Sequence, residues 1–278
     1  MNVETRKVHV AELGIDFEIL AADTVIGPAI ESGIWEDHET RLFRSHLEPR
    51  ERVVDLGANV GWFSCLAILA GCEVYAYEPV PHIADVCERN MRRAMEVAEG
   101  RGTLYRCAAG STHGKAQIAL RSDNFGDNRV VEGAVPEDMP DPETIEIDIE
   151  PVDARVQGPV CAMKIDTQGS EWHAVQGARA CIERSPAMAL LIEFWPYALR
   201  GAEPAQLLEL LTGELGFQLG KATDAPYVMK PERILKQANA RDPVKGGLDL
   251  YGVRGPKRFH SLGTKAWMHG LWRSMRED

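Results

Sequence analysis

Residues 53–61 read VVDLGANVG, and Glu78 follows 17 residues after Gly61. Val53, Val54 and Leu56 have the apolar density of a buried strand end. Gly57 and Gly61 permit a tight turn, because glycine takes positive φ and has no Cβ to obstruct a ligand. Residues 62–70 (WFSCLAILA) continue as a helix, and residues 74–77 form a second apolar run that stops at Glu78. An acid at the end of the second strand is where a ribose diol is held in nucleotide-type sites. The pattern predicts a nucleoside-containing cofactor.

From residue 52 the chain alternates strand and helix. Strands are expected at 53–56, 73–77, 103–107, 161–165 and 189–194, with helices at 62–70, 83–99 and 171–184 between them. Such alternation predicts an α/β fold: a doubly wound, mostly parallel, Rossmann-like sheet covered on both faces. Residues 1–50 form a leader, with a hairpin over 8–20 and a helix over 38–47. The rhythm breaks between 108 and 159. Residues 115–120 and 144–149 alternate like strands around a polar loop, 121–128 (RSDNFGDN), which predicts a β-hairpin insertion. A helix over 205–215 and strands near 217–219 and 248–253 complete the domain, 51–278. The last 25 residues carry six Lys or Arg and two acids, and place Trp267, Met268, Leu271 and Trp272 on one helical face. A helix folding back on its own domain is the expectation there; contact with an anionic membrane or a partner is the alternative.

A formal net charge of −11 argues against general binding to nucleic acid or anionic membranes. The six cysteines form no CxxC pair, so buried free thiols are expected rather than disulfides or a zinc site. No stretch reaches a membrane span, and the N-terminus lacks the apolar core of a signal peptide. These features together suggest a cytoplasmic enzyme acting on a small molecule.

Spacing narrows the cofactor. A dinucleotide turn wants G-x-G-x-x-G, whose second glycine lets a pyrophosphate approach the backbone. Here Asn59 stands in that place. A bulkier polar residue suits a ligand with an amino-acid end, and Asp55 adds a carboxylate for an ammonium. S-adenosylmethionine meets these conditions, with ribose at Glu78 and the methionine end at Asp55 and Asn59. Trp62 borders that end or packs its helix. Cys107 and Ala108 close the third strand, where small residues leave room for adenine or simply fill the core. A nicotinamide-dependent oxidoreductase and a non-catalytic cofactor-binding module are the alternatives.

Methyl transfer needs an acceptor oxygen placed in line with the sulfonium and relieved of its proton. Asp166 ends the fourth strand and Glu193 lies near the end of the fifth, where a doubly wound sheet holds its ligands. Asp166 is the expected base; capping the helix that begins near Ser170 is its structural alternative. A metal-free site is expected, and a Mg²⁺, if one were used, would fall to Asp166 and Glu193. His173 is a rival base, with a solvated or locally bonded helix histidine the preferred explanation; His82, which opens the helix after Glu78, reads as a surface residue near the adenosine rim. Glu171 reads as structural. Lys164, inside a strand, needs a carboxylate partner. Asp123, Asn124, Asp127 and Arg129 could bind a polyhydroxylated substrate, or merely form a turn.

The segments VVDLGANVGWFS (53–64), YAYEPVP (75–81) and MKIDTQGSEWHAVQGA (163–178) resemble those of FkbM-type methyltransferases. The third is the most specific, through Lys164, Ile165, Asp166, Gln168, Gly169, Glu171, Gly177 and Ala178. GIWE (33–36) and DNFGDNR (123–129) are similar too, so the likeness spans about residues 30–200. It implies the class I methyltransferase fold and S-adenosylmethionine-dependent O-methylation of sugar, glycosylated natural-product or polyketide hydroxyls. It also implies that Glu36 reaches back to the cofactor.

Overall fold

The computed structural model describes residues 4–33, 35–133, 135–139, 141–242, 247–257 and 259. The aromatic-rich segment of the C-terminal tail, with Trp267, Met268, Leu271 and Trp272, lies outside the described residues.

In chain order, Thr5–Val10 (β1) and Ile15–Leu20 (β2) pair as an antiparallel hairpin, followed by helices Ile26–Glu31 (α1) and Asp37–Arg44 (α2). Arg52–Leu56 (β3), Trp62–Leu69 (α3), Glu73–Tyr77 (β4), Pro81–Val97 (α4) and Arg101–Tyr105 (β5) form the first βαβαβ unit. Ala108–Ala109 (β6), Gly114–Ala119 (β7), Arg129–Val131 (β8) and Thr144–Glu150 (β9) make up the insertion. The second unit comprises Ala162–Ile165 (β10), Glu171–Gly177 (α5), Arg179–Glu183 (α6), Met188–Phe194 (β11), Pro204–Glu209 (α7), Gln218–Lys221 (β12), Pro231–Asn239 (α8) and Leu248–Arg254 (β13). A π-helical turn, Leu210–Glu214, extends α7.

Seven strands form the main sheet in the order β12-β13-β11-β10-β3-β4-β5. The five strands from β11 to β5 run parallel, and β13 is antiparallel to both neighbours. The order reverses between β3 and β10, which opens a crevice at their carboxyl ends. Period-two alternation divides the core. Val53, Val74 and Ala162 face α3, α4 and the N-terminal hairpin. Val54, Leu56, Met163 and Ile165 face α5–α8. All six cysteines are buried and free.

The expected strands appear within about two residues of their limits. The helix foreseen over 171–184 is divided at Ala178 into α5 and α6. The insertion contains the expected antiparallel pairing, β7 with β9, and adds β8 and β6 to give four strands. Helices α1 and α8 had no counterpart in the sequence pattern. No helix among the described residues is long and apolar enough to cross a membrane.

Candidate active site

A cavity of about 270 Å³ sits at the switch point. The ends of β3, β4, β10 and β11 supply Gly57, Ala58, Asn59, Tyr77, Glu78, Asp166, Thr167, Gln168 and Glu193 to its wall. Trp35 and Glu36 close it from the leader, residues 124–128 from the insertion, and Asp249 from β13.

At one end lies Glu78, which is buried. Its Oε2 accepts the Asn59 amide at 3.0 Å and its Oε1 accepts the Val80 amide at 2.9 Å. Burial raises its pKa against those two amides, to about 7. Each oxygen keeps a lone pair for a further donor, so the carboxylate fits a ribose diol. Gly57 has φ 79°, and a Cβ there would lie 1.8 Å from the Asp166 carbonyl oxygen. The glycine is therefore required where the turn passes under the loop after β10.

At the other end, Lys164 Nζ donates to Asp166 Oδ2 at 2.8 Å and stands 3.9 Å from Glu36 Oε2. The ammonium also lies 4.7 Å from the centre of the Phe63 ring. Gln168 Nε2 donates to Asp166 Oδ1 at 2.6 Å and to Glu193 Oε2 at 3.1 Å. Glu193 and Asp249 are direct cross-strand neighbours. Thus Glu36, Asp166, Glu193 and Asp249 share this end with Lys164, the one basic side chain among the described wall residues. Burial lifts the Glu36 carboxyl to about 8, opposed by Lys164 and aided by Asp166. Glu193 is likewise raised well above the ordinary range by burial, then by Asp166 and Glu171. Burial would lower the Lys164 pKa, but Asp166, Glu36 and Asp55 outweigh it and keep the ammonium charged.

Several residues expected at the site lie elsewhere. Asp55 is buried beneath α3, where its Oδ2 accepts the Ser64 hydroxyl at 2.6 Å. It shares a strand face with Val53 and with its cross-strand partner Lys164, but Ser64 of α3 covers it and it does not line the cavity. Gly61 begins α3 with φ 91° and packs against Cys87, and Cys107 belongs to the opposite core. His173 Nε2 lies 2.9 Å from Glu132 Oε1, off the cavity wall. Asp123 contributes its carbonyl oxygen to Thr24 and does not line the cavity. Arg129 is buried, pairs with Asp127 and Asp138, and stacks 4.4 Å from the Trp195 ring centre. Its donors are spent on holding the insertion together. Asn124 and Asp127 do line the cavity, as do Trp62 and Ala108. Trp62 donates to Thr40 Oγ1 at 2.8 Å, so its indole also fastens α2.

Glu171 is fully buried. Its Oε1 accepts the amides of Thr167 and Gly169 and the Thr167 hydroxyl, bracing the loop that presents Asp166. Asp249 was not legible as a site residue, because only the β11–β13 register brings it beside Glu193. Among the described residues no group of three or more His, Cys, Asp or Glu has a geometry for a metal ion.

This sheet order, with its crevice, is the architecture of a class I methyltransferase. The chain belongs to the FkbM methyltransferase family: the model of the methyltransferase FkbM domain matches residues 55–219. That match sets aside the nicotinamide oxidoreductase alternative. No curated protein matches the chain. A methyltransferase FkbM from Methylobacillus flagellatus KT is similar at 21% identity and TM-score 0.45, over 78% of this chain and 51% of that one. The chain thus spans about half the length of that relative. An rRNA methylase from Streptococcus thermophilus shares 11% identity, TM-score 0.40, over 79% of this chain and 95% of the other. Magnesium protoporphyrin IX methyltransferase from Synechocystis PCC 6803, solved with bound SAM, shares 13% identity, TM-score 0.45, over 84% and 85%.

Proposed function

We propose that the chain transfers a methyl group from S-adenosylmethionine to a hydroxyl of a sugar, a glycosylated natural product or a polyketide-type metabolite. The observation that carries this is one cavity joining the buried Glu78 carboxylate, with a free lone pair on each oxygen, to a cluster of carboxyl groups around Asp166.

Bound S-adenosylmethionine would supply an electrophilic methyl group. Glu78 holds the ribose end, and the main chain at Gly57–Asn59 lines the same end. Asp166 is fixed from both sides by Lys164 and Gln168, so it can orient an acceptor hydroxyl without moving. Glu193, joined to Asp166 through the Gln168 amide, has a raised pKa, so its ionised form is a stronger base toward the hydroxyl proton than an ordinary carboxylate. Lys164 limits the repulsion among these carboxylates. Lys164, the one basic side chain among the described wall residues, is paired with Asp166, which leaves no free cation there for a phosphorylated or other anionic acceptor. His173, paired with Glu132, takes no part.

The test is release of S-adenosylhomocysteine with panels of neutral and anionic hydroxylated glycosides and polyketides. Neutral acceptors are expected to turn over. Asp166→Ala should keep cofactor binding and lose about 10²–10⁴-fold in turnover, the range of general acid–base catalysis. Full activity in that variant removes Asp166 from the mechanism. Turnover restricted to anionic acceptors contradicts the assigned acceptor class.

A further inference from the structure

Asn59 replaces the middle glycine of a dinucleotide turn, yet its side chain does not point its hydrogen bonds at the donor end of the cavity. Its φ is 50°, a left-handed conformation that asparagine tolerates better than most residues. Its main-chain N–H donates to Glu78 Oε2 at 3.0 Å. Its Nδ2 donates to the Phe125 carbonyl oxygen at 3.0 Å, and its Oδ1 accepts the Val60 amide at 2.8 Å. One residue therefore holds the ribose-end carboxylate with its backbone and the insertion wall with its side chain.

Phe125 is gripped from other directions as well. Its N–H donates to Asp23 Oδ2 at 3.0 Å, and its carbonyl also accepts Asn128 Nδ2 at 2.9 Å. Asp23 is buried, and its Oδ1 takes the amides of Val25, Ile26 and Gly27 at the start of α1. Of these contacts, only Asn59 lies on the donor turn. We propose that Asn59 is a positioning residue, coupling occupancy of the donor end to order in the acceptor wall at 124–128. The inference rests on the methyltransferase reading above. Glycine would satisfy the backbone at position 59 but lacks the amide donor. Aspartate would keep the Val60 contact but turn an acceptor toward the Phe125 carbonyl.

The test is hydrogen exchange of the 278-residue chain with and without saturating S-adenosylhomocysteine, in the unaltered protein, Asn59→Gly and Asn59→Asp. In the unaltered protein the ligand should slow amide exchange across 121–129 at least about tenfold, equivalent to about 1.4 kcal/mol. Both variants, at saturation, should lose that ligand-dependent slowing while the amides of β10 and β11 keep their protection. Asn59→Asp separates the Phe125 contact from the local turn, and the sheet amides report whether each variant is folded. Slowing retained in both variants overturns the proposal, as does an unaltered protein whose loop ignores the ligand. Variants that cannot be saturated would make Asn59 a cofactor residue rather than a coupler, which also overturns it. Failure of the unaltered protein to bind S-adenosylhomocysteine instead removes the methyltransferase reading itself.

Discussion

Glu18 and Glu36 are leader carboxylates enclosed by the same domain, and they differ in everything around them. Glu18, on β2, accepts from Arg89, Arg93 and Thr5, while Asn90 satisfies its backbone N–H and carbonyl. Burial works against its charge, but those donors win and hold its pKa down to about 2. Glu36 faces Asp166, Glu193 and Asp249 across the cavity with only Lys164 nearby, and sits at about 8. A carboxylate whose every lone pair is matched fastens the leader to α4. One left under-compensated in a cavity wall is held ready for a ligand or a proton. The same side chain thus stands in two electrostatic settings, and the count of surrounding donors separates them.

The comparison breaks first at Glu18. Glu18→Ala leaves two arginines facing each other and should cost about 2–4 kcal/mol in denaturant unfolding, below the full cost of breaking a buried pair because both arginines keep access to water. Because its folded pKa is depressed, Glu18 contributes stability that is complete above about 4.5 and is lost as the pH falls toward about 2. Glu18→Gln should lack that acid slope. An unchanged unfolding midpoint in Glu18→Ala would reduce the cluster to surface charge.

Glu36 should behave with the opposite sign. Its raised pKa makes the folded state bind a proton that the unfolded chain releases, so stability falls as pH rises from about 4.5 through about 8. Glu36→Gln should remove this slope and stabilise the protein by about 1 kcal/mol at alkaline pH, within the usual range of single substitutions. Thermal midpoints across pH 5–9 check it. Destabilisation of Glu36→Gln at every pH would instead make the Lys164–Glu36 contact a structural tie.

Much of this was legible because it is local. Apolar runs fixed the five parallel strands, the glycine turn fixed the crevice, and the strand ends brought Glu78, Asp166 and Glu193 into one cavity. What was not legible depends on partners far along the chain. Asp55 sits next to the turn in sequence, but Ser64 of α3 covers it. The Asn59 side chain meets Phe125, 66 residues on. Arg129 and Asp127 look like a substrate-binding pair in a polar loop, yet Arg129 spends its charge on Asp127 and Asp138, and Asp127 on Arg129 and Arg121. Asp249 reaches the site only through an antiparallel strand added from outside the family-matched segment.

The claim that Glu78 anchors S-adenosylmethionine is tested most directly by calorimetric titration of S-adenosylhomocysteine into the unaltered protein and Glu78→Ala at pH 6 and 8. The unaltered protein should bind, and more tightly at pH 8, because the Glu78 carboxylate forms as pH rises through about 7. Glu78→Ala should bind at least about tenfold more weakly, about 1.4 kcal/mol, and lose that pH dependence. Equal affinity in the two proteins, or no binding by the unaltered one, would contradict the account.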